Sequence, residues 1–188
     1  MPGLQPKHNN VLIAVVVFTL ALVGITIALD QISTPLTGVI RAGALLGYIF
    51  VFLTSLASNY MQELTRYFGR SFIKLHHAAS ITALASLTVH ASGAALRSGS
   101  LLTFLPRFDS LQNFLSLGGR MAIWLLALTA LTALFRTKLR KAWRPIHWLN
   151  YVAFILGTIH AQWIGANFQH WSVRIVSGAM VLALVVVF

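Results

Sequence analysis

The side chains in this sequence best suited to chemistry are imidazoles, and their spacing repeats. The apolar stretch GRSFIKLHHAASITALASLTVHA, from Gly69 to Ala91, carries His76, His77 and His90. A second apolar stretch, WRPIHWLNYVAFILGTIHAQW from Trp143 to Trp163, carries His147 and His160. Ionisable groups within membrane-type segments are costly and are normally kept for function. Neutral imidazole is a normal axial ligand of heme iron. At about 1.5 Å of rise per residue, the separation of His76 and His90 covers ~21 Å and that of His147 and His160 ~20 Å. A ligand from each of two neighbouring helices at each of two depths makes two bis-histidine heme sites, stacked across a bilayer.

Helical angles treat the two pairs differently. At about 100° per residue, the fourteen positions from His76 to His90 return within ~40° of the same face, whereas the thirteen from His147 to His160 fall ~140° away. The first pair fits a straight helix, and the second needs tilt or a local departure from α-helix. His77 lies thirteen before His90 and is the alternative ligand to His76, which the angle favours. The competing reading makes these histidines isolated polar groups bonded between helices, or carriers in a transporter or proton path. His8, in the N-terminal tail, and His170, in the last short loop, read as solvated or interfacial residues.

The elements that must position these residues are set by composition. With 57% hydrophobic and 9% charged residues over 188 positions, the chain is an integral membrane protein and not an average soluble domain. Each crossing needs ~20 residues. The apolar runs predict an all-α membrane protein, a six-transmembrane-helix bundle with spans at about 11–29, 38–58, 72–96, 119–135, 145–164 and 171–188. Residues 1–188 form one transmembrane heme-binding domain in this reading, with the hemes between the third and fifth spans. Gly43 and Gly47 give the second span a small-residue face for close packing. Pro145 sits in the first turn of the fifth span, where proline is tolerated. Between Arg97 and Arg120, the pieces LLTFL and LQNFLSL are candidates for short interfacial segments.

The sequence has no cysteine, which excludes disulfides, iron-sulfur clusters and thiolate-bound metals. Its formal charge of +11 sits in the connections between apolar runs, so positive-inside topology accounts for it and nucleic acid is not an expected partner. Nine of the fourteen Lys and Arg residues, including Lys7, Arg66, Arg70, Lys74 and the cluster from Arg136 to Arg144, fall on one side of a six-span arrangement. That side is predicted to be cytoplasmic, with both termini on it, in the cell (plasma or inner) membrane. His76 and His147 then lie near the inner face, and His90 and His160 near the outer.

The patterns GR-x5-HH-x12-H and W-R-x2-H-x3-Y-x8-H resemble the ferric reductase-like transmembrane domain shared by NADPH oxidases, ferric reductases and the bacterial MsrQ proteins. The resemblance implies two heme b groups, His76 with His147 on the inner iron and His90 with His160 on the outer. It implies a conduit for electrons from a cytoplasmic-side donor to an extracytoplasmic acceptor, an oxidoreductase membrane component with no catalytic residue of its own. Nothing in the sequence resembles a dinucleotide-binding fingerprint, so FAD or FMN is expected on a partner. A flavoprotein reductase or quinone is the expected donor, and a small-molecule acceptor or a partner enzyme the expected recipient. An MsrQ-like heme subunit that reduces a dedicated enzyme is the alternative. Arg70 and Arg144, near the inner ligands, are candidates to pair with heme propionates, as are Arg97 and Arg120 at the outer level. Trp124 and Phe154 are aromatic candidates for the space between the two levels.

Overall fold

The computed structural model describes residues 6–28, 32–68 and 71–187. Helix α1 (Pro6–Ala28) leads to α2 (Pro35–Asn59), whose start is fixed by Thr34. Thr34 is extended, and its hydroxyl accepts from the Thr37 amide at 3.2 Å while Pro35 occupies the first turn, where a missing N–H costs nothing. Thr34→Ala should cost about 1 kcal/mol. Faster amide exchange in the first turn of α2, with the later turns unaffected, would be the measured sign.

A short amphipathic helix, α3 (Met61–Phe68), has Glu63 in its first turn and Arg66 in its last, each suited to the helix dipole. Helix α4 (Ser71–Ser98) carries His76, His77 and His90 in one unbroken run of 28 residues. Gly99 terminates it with φ +64°, a conformation that favours glycine, and the Ser100 amide bonds back to the Ala95 carbonyl.

The connection that follows is built, not slack. A 3-10 turn (Leu101–Phe104) precedes α5 (Leu111–Ser116), which is capped by the Ser110 hydroxyl. The Arg120 guanidinium donates to the carbonyls of Leu102 and Leu105, and the Trp124 indole donates to that of Phe104. These side chains satisfy backbone acceptors in irregular chain beside apolar helices, as a low-dielectric setting requires. In the same connection, the Asn113 amide donates to the Asp109 carboxylate and Arg107 pairs with it at 2.8 Å, together holding that carboxyl below its ordinary range.

Helix α6 (Gly118–Leu134) ends in the basic stretch of α7 (Arg136–Leu139) and α8 (Trp143–His147), followed by α9 (Leu149–Ile164) and α10 (Trp171–Val187). The sequence predicts one helix over 145–164. In the structure α8 and α9 join at Trp148, next to His147; the Trp148 backbone stays right-handed helical while the Tyr151 amide bonds to the Trp148 carbonyl three residues back, a local 3-10 tightening. Each residue wound at three per turn advances ~20° more than an α-helical one, in the direction that reduces the ~140° mismatch between His147 and His160.

Packing is dominated by two antiparallel pairs. In the first, α2 lies against α4 so closely that a Cβ on Gly43 would meet the Ser86 carbonyl at 2.7 Å, and one on Gly47 would meet the Leu87 side chain at 2.5 Å. In the second, α6 lies against α9, with Gly118 beside the Leu156 carbonyl and the Thr129 hydroxyl donating to Asn150 at 2.6 Å. The pairs meet through Phe154, 2% exposed, which stacks on Tyr48 with ring centroids 4.9 Å apart. The Tyr48 and Thr158 hydroxyls are hydrogen-bonded at 3.0 Å across the same seam.

Among the described residues, six helices run to 16 residues or more. Pro35–Asn59 and Phe72–Ser98 are long and apolar enough to cross a bilayer, and Ile13–Ala28, Gly118–Leu134 and Trp171–Val187 are shorter apolar helices. Large apolar side chains such as Phe18, Ile81, Leu96, Leu182 and Val186 are exposed on the outside. That much apolar surface suits lipid and not water. The molecule is a mostly helical, membrane-type domain.

Candidate functional site

Helices α4 and α9 run parallel, and their histidines meet at two levels. At one, the rings of His90 and His160 have centroids 6.5 Å apart and planes inclined at 71°. Each ring is held from behind by a backbone carbonyl: His90 Nδ1 lies 3.0 Å from the Ile40 oxygen, and His160 Nδ1 lies 2.8 Å from the Ser116 oxygen. A carbonyl can only accept, so Nδ1–H donates in both rings and Nε2 keeps its lone pair. This is the arrangement by which proteins orient a metal-bound histidine.

The glycines explain how the carbonyls come so close. Gly43 lets the first turns of α2 approach α4 at His90, one turn from the Ile40 carbonyl. Gly119, at the start of α6, faces the His160 ring directly: a Cβ there would lie 2.7 Å from Cδ2 and 2.9 Å from Nε2.

At the other level, His76 and His147 line one cavity of about 230 Å³ together with Arg144, Tyr151 and Ser80. Both Nδ1 atoms are buried and have no partner at hydrogen-bond geometry among the described residues. The Asn150 amide, oriented by Thr129, lies 3.4 Å from His147 Nε2 and marks it as the lone-pair nitrogen. A polar rim closes this end, where the Tyr151 hydroxyl meets Ser58 at 3.1 Å and accepts from Asn59 at 3.0 Å. His77 points elsewhere. It is exposed and does not line the cavity, whereas His76 is half-buried and does.

The other predicted residues separate. Arg144 lines the inner cavity although it is exposed. Arg70 lies outside the described residues. Arg97 is exposed in the last turn of α4, and Arg120 is engaged in tying down the 3-10 turn. Phe154 sits in the core, seven residues after His147 and six before His160, between the two levels. Trp124 is 52% exposed and bonded to the Phe104 carbonyl, away from that core.

Heme b is the group for which the fit of these residues can be judged. Two in-line metal–imidazole bonds of ~2 Å, with each ring centre about 1 Å behind its nitrogen, put the centroids about 6 Å apart. The outer pair stands at 6.5 Å, and among the described residues neither Nε2 has a hydrogen-bond partner. The inner pair offers two imidazoles on one cavity, each with an unpaired buried ring nitrogen and a cation, Arg144, at its edge. Both levels fit. Among the described residues no group of three or more His, Cys, Asp or Glu could hold a bare metal ion.

The paired imidazoles thus sit inside a mostly helical, membrane-type domain. Residues 40–158 match the family described as ferric reductase like transmembrane component, and the chain belongs to that family. No curated protein and no solved structure matches the chain.

Proposed function

We propose that this domain is a diheme b-type cytochrome that moves electrons across the membrane, from a cytoplasmic-side donor to an extracytoplasmic acceptor. The observation that carries the proposal is the outer pair: two imidazoles at metal-sandwich spacing, each with its Nδ1–H committed to a carbonyl. His90 and His160 hold the outer iron in this reading, and His76 and His147 the inner. Arg144, with Arg70, pairs with the propionates of the inner group. When bound, the two hemes supply one-electron redox chemistry near each face of the membrane.

The chain's own residues do the rest. The carbonyls of Ile40 and Ser116 fix the tautomer of the outer ligands and raise their basicity. Phe154 and Tyr48 keep the space between the levels dry and packed. Held between two imidazoles at each level, such a group would supply electron transfer and would not bind dioxygen or substrate itself. The six apolar helices span the membrane with both termini in the cytoplasm, where the cluster from Arg136 to Arg144 faces anionic lipid. A flavoprotein carrying FAD or FMN, or a quinone, is the donor, and a ferric chelate, dioxygen or a partner enzyme is the acceptor.

The test is the visible spectrum of the purified protein with a hemochrome count. Two low-spin hemes b per chain are expected, and a folded, colourless protein sinks the proposal. His76→Ala should then remove one low-spin heme while His77→Ala keeps both, and the reverse result would transfer the inner ligand to His77. Reduction of ferric chelate or dioxygen by the purified protein, given a flavin donor and no partner, would count against a dedicated enzyme as its acceptor.

A further inference from the structure

The start of α6 places two glycines side by side with different neighbours. A Cβ on Gly118 would meet the Leu156 carbonyl at 3.0 Å, a contact between helix backbones. The three atoms nearest a Cβ on Gly119 would all belong to the His160 ring, at 2.7 Å for Cδ2, 2.9 Å for Nε2 and 3.1 Å for Cγ. Those atoms belong to one face and to the Nε2 side of the imidazole. The ring cannot turn aside freely, because its Nδ1 is bonded at 2.8 Å to the carbonyl of Ser116, three residues before Gly119.

We infer that Gly119 and the Ser116 carbonyl form a cradle that sets the plane and tilt of the His160 ring, which makes Gly119 a positioning residue for the outer site. The inference rests on the proposal that His160 is a heme ligand. The carbonyl fixes the ring's edge, and the bare Cα of Gly119 lets its face lie against the helix. Any side chain at 119 would push the ring off the axis toward His90, because the atoms it meets are a rigid ring held at its far edge. The junction of α5 and α6 at Leu117 brings both elements of the cradle under the ring.

Gly118 supplies the control. Ala at either position crowds the same helix pair, but only Ala at 119 touches the imidazole. Ferric low-spin EPR of a bis-imidazole iron depends on the angle between the ligand planes, here 71°, so it reads ring orientation directly. In detergent-purified full-length protein, Gly118→Ala should keep both low-spin signals of the parent protein. Gly119→Ala should shift or abolish one, leave the other unchanged, and speed heme loss from the affected site to apomyoglobin roughly 10- to 100-fold, the range for removing support behind a metal-bound histidine. An unchanged spectrum in Gly119→Ala, or the same shift in both variants, overturns the inference.

A second measurement does not depend on heme. Thermal unfolding is compared for Gly119→Ala, His160→Ala and the double variant. If the clash is with the ring, Gly119→Ala lowers the midpoint in the parent and not in the His160→Ala background. An equal loss in both backgrounds overturns the cradle. Absence of heme from the parent protein would instead overturn the heme proposal, and the unfolding comparison would still decide what Gly119 supports.

Discussion

His160→Ala should leave the protein with one low-spin heme in place of two, and His90→Ala should do the same. The two rings stand 6.5 Å apart, and each is anchored to a different element, His90 to the Ile40 carbonyl of α2 and His160 to the Ser116 carbonyl of α5. Loss of one ring therefore leaves its partner in place but with nothing opposite. Perturbing groups behind a metal-bound histidine already costs about 10- to 100-fold in affinity, and deleting the ligand itself must cost more. The inner pair lies ~20 Å away along the helices and should keep its spectrum. Hemochrome per chain should fall by half, and reduction of an external acceptor by an internal donor should fall at least tenfold, about 1.4 kcal/mol or more in barrier. Retention of two low-spin hemes in either variant would remove that histidine from the site. Two single variants that lose different hemes would show that His90 and His160 do not share an iron.

Much of this arrangement can be read from the chain, because histidine in an apolar run is conspicuous. The fourteen-residue separation of His76 and His90 places both on one side of α4, and the parallel course of α4 and α9 follows from alternating spans. His76, which the angle favours over His77, lines the cavity, and its role as the ligand belongs to the proposal. Gly43 and Gly47 are legible as a packing face because small residues four apart are the usual means of close helix approach. What stays hidden depends on backbone. The carbonyls of Ile40 and Ser116 carry no side-chain signal, and they fix the ring tautomers only once α2 and α5 are in place. Gly119 reads simply as the start of an apolar run until a ring is found against it. The 3-10 tightening at Trp148 is equally silent. Pro145 marks a helix start, not a tightening three residues later, so the angle of His147 could not be obtained from an ideal helix. The 3-10 turn is similar, since Arg120 and Trp124 bond to carbonyls 15 to 20 residues back in sequence.

Gly43→Leu should be the most damaging single change in the α2 and α4 pair, and it should strike the outer level first. Its Cβ would lie 2.7 Å from the Ser86 carbonyl and 3.1 Å from the His90 nitrogen, both backbone atoms of a continuous helix that cannot move aside. At Gly47 the two nearest atoms are the branched end of Leu87, which has other rotamers, and the nearest backbone atom, the Leu87 nitrogen, lies at 3.2 Å. Lipid offers no hydrophobic force to push separated helices back together, so packing lost at the seam is not recovered elsewhere. Overpacking of this kind costs about 3 kcal/mol or more at Gly43, against roughly 1 kcal/mol for Gly47→Ala. Separation of the helices also draws the Ile40 carbonyl, one turn from Gly43, away from His90 Nδ1. The ring then loses its fixed tautomer, and the outer heme should be released on warming before the inner one. Unfolding in detergent followed at the heme absorbance would resolve the order. If Gly43→Leu and Gly47→Ala are equally stable, or the inner heme leaves first, close approach at Gly43 is not what holds His90 in place.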